Sequence, residues 1–402
     1  MKLVYADNNA TTRVDDEVLE EMLPYFKEFY GNPSSIHTFG RQVASKMDLA
    51  RERVANILGA DTSEIVFTSC GTESNNYAIH CSLEAHPEKK HVITTKVEHP
   101  AVLNVCKYFG KQGYEVTELG VNKDGMLDLD ELRDSIKDNT AIVSIMHANN
   151  ETGVIFPIEE IGKIVKEKGV LFHCDAVQAI GKIPLNLKNS HIDLLSMSGH
   201  KLHAPKGVGV LFIRKGVRID PLIIGGHQED NRRSGTENVP YIIGLGKACE
   251  LAEGFVKQEQ TEVRRLRDKL EKGIKDQLTH VVISGENSER LPNTSSVSFE
   301  YVEGEATLLL LDMAGIATSS GSACTTGSAE PSHVLQAMGI PPVTSRGTIR
   351  FSLSKFNTDD DVDYILEKLV PIVKRLQSLS PLFEDSRSEE RRVGKECRSR
   401  WS

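Results

Sequence analysis

A chain of 402 residues with 39% hydrophobic and 26% charged side chains has the length for two domains sharing one site and the composition of an ordinary soluble globular protein. Its formal net charge of -9 argues against nucleic acid as the main partner, because an acidic surface repels phosphate backbones. The longest apolar run, Ala306 to Leu311, stops well short of the roughly 20 residues a membrane span needs, and the first residues show no charged-then-apolar targeting pattern, so a cytoplasmic address is expected.

In chain order, short β-branched runs alternate with helical patterns. Strands are predicted at 65–68, 91–95, 141–146, 170–174, 192–197 and 208–213. This alternation predicts an α/β fold of βαβ units on a mostly parallel sheet, with ligands gathering where strands end. From Tyr241 to Leu278 the pattern turns helical with charged faces, which reads as a solvated helix joining two domains. Beyond it, 294–299 and 347–353 read as strands and 359–376 as a closing helix. The expected division is a large domain over 13–250 and a smaller α/β domain built from 1–12 and 251–385. Residues 386–402 change composition abruptly, with five Arg and the only Trp, and read as a vector-derived scar, a natural basic tail being the alternative.

The seven cysteines are odd in number, scattered and never in a C-x-x-C pair, which reads as reduced thiols and neither a disulfide framework nor a zinc knuckle. Cys70, Cys81, Cys106, Cys174 and Cys249 lie in or beside apolar patterns and read as small core residues. Cys324 lies instead among Gly, Ser and Thr, in Ser319 to Gly327, and reads as a thiol displayed on a pliant loop.

Three predicted element ends carry polar groups that make sense together. Asp175 follows one apolar strand, Lys201 follows another 26 residues later in Ser198-Gly199-His200-Lys201, and Thr72 opens the helix after a third. Around pyridoxal phosphate, Asp175 would keep the ring nitrogen protonated, Lys201 would hold the aldehyde as a Schiff base, and Thr72 with its neighbouring N–H groups would take the phosphate at a helix N-terminus. A transaminase or β-lyase would share this set but has no use for Cys324. A metal hydrolase built on His173-Cys174-Asp175 and His200 with His203 fits no zinc spacing, so no resident metal is expected. A non-enzymatic sulfur-transfer scaffold remains the other alternative.

Ordered motifs run from Tyr5-Ala6-Asp7-Asn8-Asn9-Ala10 to about Leu376. They include Gly31-Asn32-Pro33-Ser34-Ser35, Thr68-Ser69-Cys70-Gly71-Thr72-Glu73-Ser74, Glu98-His99-Pro100-Ala101, Asn149-Asn150-Glu151-Thr152-Gly153, Asp175-Ala176-Val177-Gln178, Arg233-Ser234-Gly235-Thr236 and Gly321-Ser322-Ala323-Cys324. In these the chain closely resembles the NifS-like cysteine desulfurases, pyridoxal-phosphate enzymes of the aspartate-aminotransferase fold type. The resemblance implies that His99 stacks on the ring and moves protons, that Gln178 and Asn150 lie at the phenolic oxygen, and that Gly71, Thr72, Ser198 and His200 hold the phosphate. It implies that Thr236 reaches the phosphate of a neighbouring subunit, making the protein a homodimer. Arg350 and Asn32 would clamp the substrate carboxylate together with Asn150. Cys324 would take sulfur from L-cysteine as a persulfide, leave L-alanine, and pass the sulfur to an acceptor such as an iron–sulfur scaffold or a tRNA-thiolation partner. Whether Cys324 also carries a transient iron–sulfur cluster is left open. The length of the stretch from Thr318 to His333 matches the long-loop group of the family, with the short-loop group as runner-up.

Overall fold

The computed structural model describes residues 2–320, 332–381 and 383; Cys324, its flanking Gly321 to Pro331 and the 386–402 segment lie outside the described residues. A two-residue strand, β1 (Val4–Tyr5), opens the chain. The large sheet follows as β2 (Ile65–Thr68), β3 (His91–Thr95), β4 (Glu115–Leu119), β5 (Thr140–Ser144), β6 (Leu171–Asp175), β7 (Leu194–Ser198) and β8 (Gly209–Ile213). Their spatial order is β2-β8-β7-β6-β5-β3-β4. The four pairings among β3, β4, β5, β6 and β7 are parallel, while β8 runs antiparallel to both its neighbours. The reason is chain length: the link from β7 to β8 covers only 199–208, below the dozen or so residues that a parallel crossover requires.

Successive side chains of a strand face opposite ways, and here both faces are covered. Ile65, Phe67, Ile93, Val143, Leu195 and Phe212 pack into one core. Their alternates Val66, Val92, Ile142, Leu194 and Leu211 pack into another on the opposite face. A third core lies under β9 (Val281–Ile283), β10 (Thr294–Phe299), β11 (Ile316–Ala317) and β12 (Thr348–Ser352), where Val297, Phe299, Ile349 and Phe351 meet the closing helix Asp359–Leu379. There β10 is antiparallel to both β9 and β12, and β1 pairs parallel with β11.

The helical stretch after Asn238 is two helices, Val239–Gln258 and Arg264–Gln277, joined by a single π turn at Glu259–Val263. The first buries Ile242, Ile243, Leu245 and Cys249 in the first core, and the second buries Leu266, Leu270 and Ile274 in the third. The extra residue of a π turn shifts the helical phase, which lets one rod present its apolar stripe to two different cores. It is therefore more than the solvated connector its charged faces suggest. The third core is not fed by the last third of the chain alone: Val4 and Ala6 belong to it, whereas Leu291, Val334, Leu335 and Met338 pack with the first.

Candidate active site

Because β2 runs with β3, β5, β6 and β7, their carboxyl ends lie along one edge, and each hands the chain to a polar turn. After β2, Cys70 caps the helix Gly71–Ala85, its Sγ accepting the Glu73 N–H. After β3, His99 caps the helix Pro100–Lys111. After β7, Ser198 leads into the tight 3-10 turn Gly199–Lys201. These ends enclose a cavity of about 370 Å³ lined by Gly71, Thr72, His99, Asn150, Asp175, Gln178, Ser198, His200, Lys201 and Arg350 among others. Ten residues read from scattered motifs thus meet in one space. Asn32 and Thr236 do not line it: both are exposed, and Asn32 spends its Oδ1 on the Ser34 N–H. Cys324 lies outside the described residues.

Asp175 is buried at the end of β6, where Oδ1 accepts the Val177 N–H at 3.0 Å and Oδ2 accepts from Asn75 Nδ2 at 2.7 Å. The Lys201 ammonium donates to the backbone carbonyls of Asn9 and Ala10, the latter at 2.7 Å. Asn9 O also accepts from Gln178 Nε2 at 3.0 Å. Buried Lys182 donates at 3.1 Å to Gln178 Oε1, and since an ammonium can only donate, this contact fixes which end of the amide is which.

His99 Nδ1 accepts the Ala101 N–H at 3.1 Å, which places the proton of the neutral ring on Nε2. Burial, together with Lys201 and His333, holds its pKa below the ordinary value against the opposing pull of Asp175. His200 is pushed down to about 4 by burial first and then by Lys201, Lys206 and Lys182, so it is a neutral hydrogen-bonding group near neutral pH. Its Nδ1 meets Thr11 Oγ1 at 3.1 Å.

Arg350 on β12 is 2% exposed. It donates to Asn150 O at 2.9 Å, to Asp7 Oδ1 at 3.0 Å and to Ser319 Oγ at 2.8 Å, and its Nε–H has no partner among the described residues. A buried guanidinium with an unspent donor is suited to a carboxylate.

Several wall residues carried no individual prediction. Asn75 follows Gly71 by one helical turn, a spacing that puts both on one face, and this was the available signal. Glu151 and His333 had none, since their contacts join remote segments. Ser332 Oγ donates to Glu151 Oε2 at 2.5 Å, and His333 Nε2 donates to Glu98 O at 2.9 Å. Burial, then the charge of Asp175, pushes the Glu98 carboxyl up to about 8. Cys70 corrects its reading as a core residue: it is partly exposed and lines the cavity, because a helix N-cap after a strand end faces the site and not the core. His173 is no metal ligand in waiting, since Ser144 Oγ and Ser196 Oγ occupy its two ring nitrogens at 2.8 and 2.9 Å.

The donor set fits pyridoxal phosphate. A Cβ on Gly71 would come within 2.9 Å of Val177 Cγ2 and 3.4 Å of Ser198 Cβ, so the glycine lets the helix N-terminus close on the neighbouring strand ends. An amine, a carboxylate and that N-terminus then face one cavity, and Asn75 Oδ1 lies buried with no partner among the described residues.

Residues 4–365 match the class-V aminotransferase family. The chain is 59% identical over 385 residues to a cysteine desulfurase of Trichormus azollae, covering 96% of each. It is 56% identical over 381 residues to the cysteine desulfurase NifS of Azotobacter vinelandii, covering 94% of this chain and 95% of that one. Among solved structures, a NifS-like protein superposes with a TM-score of 0.88 at 45% identity, covering 93% of this chain and all of its own. The chain belongs to the class-V aminotransferase family and, within it, to the pyridoxal-phosphate-dependent cysteine desulfurases.

Proposed function

We propose that the chain converts L-cysteine to L-alanine and keeps the sulfur as a persulfide on Cys324, for delivery to an acceptor protein in iron–sulfur cluster assembly or tRNA thiolation in the cytoplasm. The observation that carries this reading is the single cavity in which Lys201, Asp175 and the helix N-terminus meet Arg350. Lys201 holds the cofactor, with Asp175 at the ring nitrogen, Gln178 at the phenolic oxygen, His99 against the ring, and Thr72, Ser198 and His200 at the phosphate. The bound cofactor supplies an electron sink for the carbon that carries the substrate amine. Arg350 binds the substrate carboxylate, assisted by Asn150. The Lys201 amine and His99 Nε2 carry protons to and from the substrate. The Cys324 thiolate attacks the substrate sulfur: an S–S bond forms, the C–S bond breaks, and the electron pair left on carbon takes a proton to give alanine. Residues 13–250 then form the cofactor domain, and 1–12 with 251–385 the domain that carries Cys324.

Incubation with L-cysteine and no keto acid tests this. Alanine and protein-bound or released sulfur are expected in equal amounts. Alanine formed only when a keto acid is added, or pyruvate and ammonia in its place, would sink the reading in favour of a transaminase or a β-lyase.

A homodimer is part of the proposal. Leu23 (54%), Phe26 (52%), Tyr30 (72%) and Ile36 (89%) expose apolar surface on one segment, and Ile224 (86%) does so beside the Thr236 loop, which the Ser234 N–H ties to Ile223 O. Covering these with a second copy would bring Thr236 toward the partner's phosphate site. Sedimentation is expected to show a dimer, and dilution to monomer is expected to release cofactor. A monomer that keeps full cofactor occupancy would remove the subunit contribution.

A further inference from the structure

The helix that presents its N-terminus to the phosphate has an acid as its third residue, Glu73. The carboxylate is held at that first turn, where Oε2 accepts the Ser69 N–H at 2.8 Å, and its side chain is only 10% exposed, so water screens it weakly. An anion there competes with phosphate for the positive end of the helix and repels it directly. Arg233 answers this charge with a two-pronged contact, Nε to Oε1 at 2.9 Å and Nη2 to Oε2 at 3.2 Å. Burial works to raise the Glu73 pKa, but the Arg233 and Ser69 hydrogen bonds outweigh it and hold the group below its ordinary value. Neither Arg233 nor Glu73 lines the cavity. Arg233 also donates to Ser234 O at 3.2 Å, so the same side chain joins the phosphate helix to the loop that carries Thr236.

We infer that Arg233 is a positioning residue for the cofactor phosphate: by neutralising Glu73 it keeps the N-terminus of Gly71–Ala85 open to a second anion. The inference rests on the pyridoxal-phosphate reading of the cavity. It differs from simple loop anchoring, because the requirement for Arg233 should vanish when Glu73 loses its charge.

The test is calorimetric titration of cofactor-stripped full-length protein with pyridoxal phosphate and, in parallel, with pyridoxal, which lacks the phosphate. R233A is expected to weaken pyridoxal phosphate by roughly tenfold or more, the scale of one uncompensated charge at a partly buried site, and to leave pyridoxal within about twofold. E73Q should bind pyridoxal phosphate as well as wild type or better, and R233A/E73Q should recover to within about threefold. R233Q, which keeps a hydrogen-bonding side chain without the charge, gives the same reading with less disturbance of the loop, and R233K should retain most of the affinity. The inference is overturned if the double variant stays as weak as R233A, or if pyridoxal and pyridoxal phosphate weaken alike. Failure of the wild type to bind pyridoxal phosphate would instead overturn the cofactor reading beneath it.

Discussion

Lys201→Ala is expected to lose covalent attachment of the cofactor and to slow turnover by roughly 10⁴-fold or more, beyond what one positioned proton transfer contributes, because attachment and proton transfer are lost together. Among the described residues one lysine is buried. It is Lys182, and burial pushes its ammonium down to about 8, which makes it the rival amine. Its Nζ, however, is committed to Gln178 O and Gln178 Oε1, both at 3.1 Å, and it does not line the large cavity. Lys201 does, with its ammonium resting on the carbonyls of Asn9 and Ala10. Borohydride treatment of the loaded wild type, followed by peptide mapping, should therefore fix the cofactor at Lys201. Fixation at Lys182 or any other lysine, or an unchanged visible band in Lys201→Ala, would contradict the assignment.

How far the sequence discloses this architecture depends on what each residue contacts. The runs at 65–68, 91–95 and 294–299 coincide with β2, β3 and β10 because buried β-branched residues leave little choice of backbone. Edge strand β4, Glu-Val-Thr-Glu-Leu at 115–119, gives no such signal, since it keeps most of its side chains half in water, whereas the opposite edge strand β2 is buried throughout. The same division holds at the site. Asp175, Lys201 and Thr72 are legible because each follows an apolar strand, and strand ends on one edge of such a sheet converge. Asn9, Glu151 and His333 are not, because what places them is contact across long stretches of chain, such as Asn9 Nδ2 to Thr294 Oγ1 at 2.8 Å. The Arg233 to Glu73 clasp spans 160 positions, and in sequence the two residues look like ordinary surface charges.

Cys324→Ala is expected to bind cofactor and L-cysteine as the wild type does, yet to form alanine slower by roughly 10³-fold or more, the order lost when a nucleophile that works as a unit with its site is removed. Sulfur transfer needs a thiolate that can reach the substrate sulfur. Among the described cysteines, burial pushes Cys81 and Cys106 up to about 12 and raises Cys174 and Cys249 as well, so none of the four offers a thiolate near neutral pH. Cys70 alone of the described thiols lines the cavity, and it stands at the N-cap of the helix Gly71–Ala85 with Sγ engaged by the Glu73 N–H. Cys324 is the stronger candidate because the described residues on either side of its segment bond to side chains that line the cavity. Ser319 O accepts the Arg350 N–H at 2.7 Å and Ser319 Oγ accepts from the Arg350 guanidinium, while Ser332 Oγ donates to Glu151 in the cavity wall. The two thiols separate cleanly in experiment. Cys70→Ser should keep most of the activity, and after turnover the extra sulfur should be found by mass spectrometry on the peptide that contains Cys324. Persulfide on Cys70, or alanine formation by Cys324→Ala at close to the wild-type rate, would move the sulfur-accepting role away from Cys324 and leave the carboxylate clamp and cofactor site in need of a different nucleophile.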